Sequence, residues 1–487
     1  MRHDALFARA SNRDVAQVQV TNTLRAQEEE QLNMAEPVSR RILVVGGGPA
    51  GATAAFWLAK AGYSVTVAER STSKVRVSSL LPDGIRTGGS TRSSSVFTLI
   101  LICTQFTYGQ GIDVTGPAVE ILRHIGVYEE VKQKLTGEKG FAILDDSGTV
   151  IARLGASKDE KGSGFTLTQE LEIMRDDMTR ILANAAQRLD GVEYRYGCSV
   201  TEIRQSDTKA TAVLSGTNAA EDFDAIVGGD GMMSRVRRLV LDHDARKDCF
   251  RSIEQYTAFF SIPGRPEDIP NALLQHGTGR RSILIRPIKD SVETNERSSC
   301  YMVYTKELPK LADAIASRSI DRQKEVFAEI FEAFPGSLRE RALQGMWAAK
   351  DFYVSQTAQI KLPVWSQGRV VLVGDSAYAP SPATGQGTAL AIIGAYLVAG
   401  ELVKIPNDPV LAFREYDRKF RDYVASMQNI PGGSALPKLA NPESAWGVRV
   451  LRWAFWLISW SGLYKLVNPK GGNERFELPD YKIGRDD

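Results

Sequence analysis

The sequence predicts an α/β protein in which one domain is interrupted by another, and three observations support this. Near the start, a short apolar run at residues 42–45 leads into closely spaced glycines and then a helical pattern. A similar run at residues 368–374 returns much later and is followed by Asp375. Between about 250 and 365 the glycine signatures vanish, and alternating apolar segments predict an antiparallel sheet. We therefore predict a discontinuous parallel-sheet domain, a mixed α+β domain on an antiparallel sheet, and a C-terminal helical segment.

The first element is a strand, turn and helix with the spacing G-x-G-x-x-G at Gly46, Gly48 and Gly51. In such a unit the first glycine permits a tight turn, the second lets the backbone approach a pyrophosphate, and the third lets the helix pack on the strand. A second strand then ends at Glu69. An acidic residue about 20 positions after the glycines can accept hydrogen bonds from a ribose. This order of elements predicts a Rossmann-like dinucleotide-binding domain.

The length of 487 residues exceeds what one hydrophobic core holds, so the chain is divided into several portions. We predict a disordered extension at residues 1–40 and a C-terminal helical segment at residues 431–487. The dinucleotide-binding domain is predicted in three pieces, 41–139, 169–247 and 367–430. The substrate domain is predicted in two pieces, 140–168 and 248–366.

Composition and residue spacing argue against three kinds of site. The net charge is only +2 and there is no long basic stripe, so we expect no nucleic-acid partner. Cys103, Cys198, Cys249 and Cys300 are widely separated, and the chain has only four histidines, so neither a redox disulfide nor a metal site is expected. Buried free cysteines are typical of a reducing compartment, which predicts a cytoplasmic protein.

Two segments do not fit a compact dinucleotide-binding chain. Residues 1–33 are polar and lack the apolar core of a signal peptide, so we interpret Met34 as the native start. Residues 71–109 form an atypical insertion that is too long for an ordinary loop. We interpret part of residues 86–109 as a gene-model error, such as a translated intron, with a lid loop as the alternative. The fold resumes at 110–116.

Further elements follow from periodicity and turn residues. The sequence predicts a hairpin over 141–154, helices over 117–125, 170–189, 322–334 and 385–403, and strands over 194–200, 210–215, 223–227, 256–262, 282–288, 300–304 and 368–374.

Two more motifs combine glycine with aspartate at the end of a predicted strand. One contains Asp230 and Gly231, and the other contains Gly374 and Asp375. A carboxylate at the carboxyl end of a strand can bind the hydroxyls of a ribityl chain. A helix that opens at 385–388 can stabilise negative charge near a flavin ring. Together with the first motif, this order and spacing indicates a flavin dinucleotide.

With these motifs, residues 41–425 resemble the FAD-dependent aromatic-hydroxylase family, the single-component, para-hydroxybenzoate hydroxylase-like flavoprotein monooxygenases, and within it microbial enzymes of specialised metabolism. The resemblance implies that FAD is bound and that NADPH is a transient co-substrate. The residues that it assigns to the cofactors are Gly46, Gly48, Gly51 and Glu69 for the adenosine half of FAD, Arg175 on the intervening helix, Asp230 and Gly231 for FAD and NADPH, and Asp375, Pro382, Gly385, Gly387 and Thr388 for the flavin half. The alternative for Arg175 is a surface salt bridge.

The sequence departs from the family pattern at two positions. Tyr378 stands where the family often has histidine, so the role of that histidine does not transfer. Ala389 stands where asparagine is usual.

The resemblance implies that reduced flavin adds dioxygen to form a C4a-hydroperoxyflavin. This species would hydroxylate or epoxidise an apolar or aromatic small molecule. The alternatives are a flavin oxidase, a halogenase, or an FAD-fold binding protein without catalysis. No pattern identifies a catalytic acid or base, and Arg281, Arg286 and Tyr301 could be structural or contact the substrate.

The C-terminal segment has apolar residues on several faces. Trp446, Val450, Trp453, Leu457, Trp460 and Tyr464 form a heptad-like seam. Three interpretations stay open for residues 445–467: packing on the enzyme, peripheral contact with a membrane, or a membrane span.

Overall fold

The computed structural model describes residues 40–72, 111–135, 140–155, 171–216, 219–288, 297–380, 384–429, 435–461 and 476–484. Several predictions therefore lie outside the described residues. These are Pro382, the interpretation of Met34 as the start, and the interpretation of 86–109. The extension 1–40 is described only at Arg40, and the insertion 71–109 only at Ser71 and Thr72.

The described part of the chain contains both strands and helices. The strands are β1 (Arg41–Val45), β2 (Ser64–Glu69), β3 (Gly111–Asp113), β4 (Gly140–Leu144), β5 (Val150–Gly155), β6 (Glu172–Met174), β7 (Val192–Tyr196), β8 (Val200–Gln205), β9 (Ala210–Leu214), β10 (Ala220–Phe223), β11 (Ala225–Gly228), β12 (Phe250–Pro263), β13 (Ala272–Gly277), β14 (Arg281–Pro287), β15 (Arg297–Tyr304), β16 (Tyr353–Ile360), β17 (Ser366–Gln367) and β18 (Val370–Leu372). The α-helices are α1 (Pro49–Lys60), α2 (Pro117–Ile125), α3 (Tyr128–Gln133), α4 (Arg175–Gln187), α5 (Arg235–Val240), α6 (His243–Arg246), α7 (Pro309–Ala316), α8 (Ile320–Phe331), α9 (Leu338–Ala348), α10 (Asp375–Tyr378), α11 (Gly387–Lys404), α12 (Pro409–Met427), α13 (Ala435–Ala440) and α14 (Ala445–Ser461).

A six-stranded sheet has the order β17-β18-β11-β1-β2-β7. All neighbours are parallel except β17 and β18. Ile42 to Val45 of β1 are buried, as expected for an inner parallel strand covered on both faces. Helix α1 packs on β1 and β2 and against α4 and α11. Because β1, β2, β11 and β18 are parallel, their carboxyl ends meet at one edge, which is where ligands bind in open α/β sheets.

A seven-stranded sheet has the order β16-β12-β15-β14-β13-β4-β5. Its pairs are antiparallel except β13 with β4. One face, which includes Phe260 and Met302, forms a core with α7, α8 and α9. Since side chains alternate across a strand, the neighbouring Phe259 and Tyr301 point to the opposite face. The two large sheets and the C-terminal helices confirm the predicted fold class.

Smaller sheets account for two corrections. The predicted helix 170–189 begins only at Arg175, because Glu172–Met174 instead pairs with β3 as strand β6. The predicted strand 194–200 is in fact the end of β7 and the start of β8. Gly197 separates them with φ +69°, a left-handed conformation that ends a strand readily at glycine.

Helix α11 is the one helix, within the described ranges, that is long and apolar enough to cross a membrane by length and composition. It is 78% buried inside the fold, against α1 and α12. This burial is typical of a core helix.

Candidate functional site

Two glycines of the loop after β1 make close contacts that leave no room for a side chain. Gly46 has φ +97°, and a Cβ there would lie 2.6 Å from the Gly229 carbonyl oxygen. A Cβ on Gly51 would lie 1.8 Å from the Gly46 carbonyl oxygen. Gly46 and Gly51 are therefore required by the packing of the loop itself.

Gly48 and Gly231 differ from those two glycines. A Cβ on either would meet no heavy atom within 4 Å. Gly48 also has an ordinary φ of −68° as the residue that begins α1. The protein itself gives no reason for glycine at position 48, whereas the φ of +80° at Gly231 favours glycine by itself. Open space beside a helix N-terminus is what an approaching phosphate group requires.

Glu69 lies beside this loop, as predicted, and fixes its shape. Its Oε2 accepts a hydrogen bond from the Gly47 N–H at 2.6 Å, and its Oε1 accepts one from the Ser71 N–H at 2.7 Å. Each carboxylate oxygen has a second lone pair, so Glu69 can still accept a hydrogen bond from a ligand.

Asp230 holds the start of helix α5. Its Oδ1 accepts from Ser234 Oγ at 2.5 Å, and its Oδ2 accepts from the N–H groups of Arg235 and Val236 at 2.6 and 3.0 Å. These are the interactions of a helix cap. Asp230 therefore shapes the loop, and its neighbour Gly231 faces the cavity described below.

Sequence reasoning missed a buried link between the two Gly-Asp motifs. The Arg237 guanidinium donates to the carbonyl oxygens of Ser376 at 2.7 Å and Met232 at 2.6 Å. Ser376 Oγ donates to the carbonyl oxygen of Gly228 at 2.5 Å. The two loops are thereby fixed to each other. The arginine in the basic helix start after Asp230 was the available signal.

The loops meet at a cavity of about 290 Å³ at the carboxyl edge of the six-stranded sheet. The predicted site residues that line it are Gly48, Arg175, Gly231, Asp375, Gly385, Gly387 and Thr388. Gly46, Gly51, Glu69 and Asp230 support the loops beside it. On its other side the cavity is lined by Tyr353, Ser355 and Gln356 of β16. It therefore lies between the two large sheets, and the β16 residues were not found from sequence because no motif marks them.

The charged side chains among the described lining residues are Arg175 and Asp375. Burial raises the pKa of Asp375 above its usual range, and the positive charge of Arg175 offsets only part of this increase. Asp375 Oδ1 lies 3.8 Å from where a Cβ on Gly387 would stand. A carboxylate thus faces the start of α11, where a hydroxyl-bearing chain can donate hydrogen bonds to it.

The start of α11 is placed by three segments of the chain. Gly374 fits between α1 and α11, since a Cβ there would lie 3.0 Å from Ala50 Cβ and 3.2 Å from Ala391 Cβ. Thr115 Oγ1 donates to Gln386 Oε1 at 3.1 Å at the residue that begins the helix. The unpaired N–H groups of this helix end give it a partial positive charge.

Both departures from the family pattern lie in the core. Ala389 and Tyr378 are buried, and Tyr378 accepts a hydrogen bond from the Tyr416 hydroxyl at 2.9 Å. Burial raises the pKa of the Tyr378 phenol. The Tyr378 ring packs on Trp365, with ring centroids 4.6 Å apart. Tyr378, the last residue of α10, is therefore structural and is not among the residues that line the cavity.

The side chains suggested for substrate contact have different positions. Arg281 is structural, because its guanidinium donates to the carbonyl oxygens of Thr278, Ile330 and Ala333 at 2.7, 2.6 and 3.3 Å. The guanidinium of Arg286 lies 5.9 Å from the centre of the Phe141 ring.

Tyr301 belongs to an aromatic row on the face of the seven-stranded sheet opposite to α7, α8 and α9. Phe259 packs against Tyr301 edge to face and stacks on Tyr353, with centroids 5.0 Å apart in both pairs. Since Tyr353 lines the cavity, this row carries an aromatic surface to its rim.

Comparison with known proteins agrees with this geometry. Residues 41–391 match the family model for FAD dependent oxidoreductases. Monooxygenase CTB7 of Cercospora beticola is 42% identical over 448 residues, which cover 92% of this chain and 98% of that protein. Flavin-dependent monooxygenase eupH of a Phoma species is 28% identical over 466 residues, which cover 91% of this chain and 98% of that protein.

Among solved structures, tetracycline destructase Tet(55) has a similar fold, with a TM-score of 0.67 and 24% sequence identity. The match covers 92% of this chain and 100% of that chain. The family match spans both the glycine loop and the Gly-Asp motif at Asp375. This chain therefore belongs to the FAD-dependent oxidoreductase family and is an FAD-dependent monooxygenase.

Proposed function

We propose that the enzyme oxidises NADPH and inserts one oxygen atom of O2 into an apolar or aromatic small molecule, by hydroxylation or epoxidation, in the biosynthesis of a specialised metabolite. The observation that carries the proposal is the cavity between the sheets, which has open glycine backbone on one side and the aromatic ring of Tyr353 on the other. The FAD, when bound, supplies the transfer of electrons from the nicotinamide and the activation of O2.

The residues present fit FAD. Gly48 and Gly231 leave open space where a pyrophosphate can approach, and Glu69 beside the loop can accept a hydrogen bond from a ribose hydroxyl. Asp375 can accept hydrogen bonds from ribityl hydroxyls, and Arg175 offers a cation across from it. The start of α11, at Gly387 and Thr388, can stabilise negative charge on a reduced ring.

We propose that the nicotinamide cofactor binds only transiently. The sequence has one G-x-G-x-x-G motif, at Gly46 to Gly51, and the FAD uses it. A cofactor that only delivers electrons and leaves needs no second dinucleotide-binding domain. This supports NADPH as a transient co-substrate.

The chemistry of the cavity supports a neutral, largely apolar substrate. Apart from Arg175 and Asp375, the described lining consists of small, apolar or uncharged polar residues. The Tyr353 ring at the rim, backed by Phe259, offers a face on which a planar ring can stack. Exclusion of water by such walls lets oxygen transfer compete with loss of the activated oxygen.

The test uses purified full-length protein with its flavin absorbance recorded. NADPH oxidation and O2 uptake are screened against candidate apolar and aromatic compounds, with isotope-labelled O2. We expect a stimulating compound to gain one labelled oxygen atom while NADPH is consumed. Oxidation of substrate with O2 uptake but no need for NADPH would show an oxidase instead. Stimulation without any oxygenated product would overturn oxygen insertion.

A further inference from the structure

Helix α14 presents large aromatic side chains to solvent along one side. Trp446, Trp453, Trp456 and Trp460 are 73%, 60%, 45% and 74% exposed, and Val450 between them is 43% exposed. We call these five residues the tryptophan stripe. It contains four of the seven tryptophans of the chain. Several large apolar side chains exposed on one face of a helix indicate an interaction surface.

The opposite side of α14 is fixed to the enzyme. The Phe455 ring stacks on His276, with centroids 5.8 Å apart. Arg452 donates to the His276 carbonyl oxygen at 2.7 Å and to Asp146 Oδ1 at 2.5 Å, and Ser459 Oγ donates to the Arg153 carbonyl oxygen at 2.9 Å. The helix cannot turn the stripe inward without breaking these contacts.

The charge of α14 favours an anionic partner. Ala445–Ser461 contains no aspartate or glutamate. Arg449 is exposed on the same side as the stripe. A helix face of tryptophans flanked by Arg449, with no carboxylate in the helix itself, is complementary to phosphate headgroups above an apolar layer.

The size of the stripe argues against a second copy of the chain as its partner. At the rise and width of an α-helix, the stripe is about 21 Å long and about 10 Å wide, or roughly 200 Å². A stable protein interface buries about 800 Å² on each partner. A bilayer needs no matching surface and accepts a single helix lying in its plane.

We propose that α14 is a peripheral membrane anchor that lies flat on a lipid bilayer, with the tryptophan stripe at the boundary between headgroups and acyl chains. Indole rings prefer this boundary because the ring is apolar and its N–H can still bond to water or headgroups. Arg449 then contacts lipid phosphate. The anchoring contact is separate from the cavity and does not depend on the proposed reaction.

The test is sedimentation of the flavin-loaded full-length enzyme with phosphatidylcholine vesicles, with and without phosphatidylserine. We compare the wild type with the triple variant Trp446→Ser, Trp453→Ser, Trp460→Ser. The matched control is Trp347→Ser in α9, because Trp347 is 50% exposed but lies outside the stripe. We expect the triple variant to bind vesicles about tenfold more weakly or worse, and Trp347→Ser to bind like the wild type. Flavin content and the unfolding midpoint show that each variant is folded.

Two further measurements identify the partner. Brominated acyl chains should quench the tryptophan fluorescence of the wild type. Arg449→Glu should weaken binding to phosphatidylserine vesicles by about fivefold or more and affect neutral vesicles less. No binding of the wild type to either vesicle would overturn the proposal. Self-association of the wild type that the triple variant loses, without vesicle binding, would assign the stripe to a second copy instead.

Discussion

The two large sheets contribute to the same cavity by different means. At the edge of the six-stranded sheet, the cavity wall is largely backbone, held by close packing at Gly46, Gly51 and Gly374. At the seven-stranded sheet, the wall is side chains such as Tyr353 on a strand whose backbone is already paired. Backbone sites cannot adjust to an added atom, whereas side chains on a paired strand can be exchanged. The first region should therefore fix cofactor binding, and the second should set substrate preference.

The largest effects are expected at two glycines of the loop after β1. Gly51→Ala places a Cβ 1.8 Å from the Gly46 carbonyl oxygen, so the loop must shift. We expect a loss of roughly 3 kcal/mol or more in the unfolding free energy and loss of bound flavin. Gly48→Ala adds a Cβ in open space at φ −68°, so the apoprotein should keep its stability while its FAD affinity falls. Denaturant unfolding and flavin titration of the apoproteins measure both effects.

The Gly48 variant is the decisive member of the pair. If Gly48→Ala bound FAD as tightly as the wild type, the proposed approach of the cofactor to this loop would be wrong. If it unfolded as readily as Gly51→Ala, the open space at Gly48 would not describe the native loop.

The same contrast explains how far the sequence could be read. Glycine spacing, strand ends and the position of Glu69 reflect backbone geometry, which local residues determine, and these elements formed as predicted. The position of Asp230 after a strand was predicted. Its role as a cap on α5 was not, because that role depends on how the backbone brings Ser234 and Arg235 to the carboxylate.

The residues of the second sheet could not be found in this way. Strand pairing places Phe259 opposite both Tyr301 on β15 and Tyr353 on β16. These three residues are spread over about a hundred positions of the chain. No local pattern encodes that contact. The anchoring of α14 on β13 is likewise a long-range contact, which is why three interpretations of this segment were open.

A second variant tests whether stability in the seven-stranded region is independent of the cofactor. Asp268 is fully buried and accepts two hydrogen bonds from Arg341, at 2.6 Å each, and one from Ser298 Oγ at 2.6 Å. Asp268→Ala leaves the buried Arg341 guanidinium without its anionic partner, so we expect a loss of about 3–5 kcal/mol in unfolding free energy. The folded protein should still bind flavin normally.

The control for Asp268 is an exposed ion pair in the same helical layer. Lys310 and Glu329 are 52% and 59% exposed, so Glu329→Ala should change the unfolding free energy by about 1 kcal/mol or less. Loss of flavin from folded Asp268→Ala would show that the two regions are coupled more tightly than their contacts indicate.

A third variant uses pH to probe the contact between α14 and the sheet. Burial, and then the charge of Arg452, lowers the pKa of His276 to about 4. In the unfolded chain the group takes up a proton near pH 6.5, so acid favours the unfolded state between these values. The wild type should lose about 2 kcal/mol from this group between pH 7 and pH 5. His276→Phe keeps a ring against Phe455 but has no group to protonate. Its loss of unfolding free energy between pH 7 and pH 5 should therefore be smaller than that of the wild type by this amount.

Urea unfolding at the two pH values measures this effect. His243→Phe is the control, because the His243 side chain is 76% exposed and makes no buried contact of this kind. Equal acid sensitivity in wild type and His276→Phe would contradict the burial of a neutral His276.

The smallest effect is expected at the rim of the cavity, where the comparison predicts adjustment and not loss. Tyr353→Leu removes a ring that stacks on Phe259 and faces the cavity. Aromatic pairs contribute about 0.5–1.5 kcal/mol beyond burial, so KM for an aromatic substrate should rise roughly 2- to 10-fold with flavin binding unchanged. Tyr304→Leu makes the same change on the helix-covered face of the sheet and should leave KM unaltered. A change in flavin affinity in Tyr353→Leu, with KM unaltered, would mean that β16 serves the cofactor and that the division of labour between the sheets is wrong.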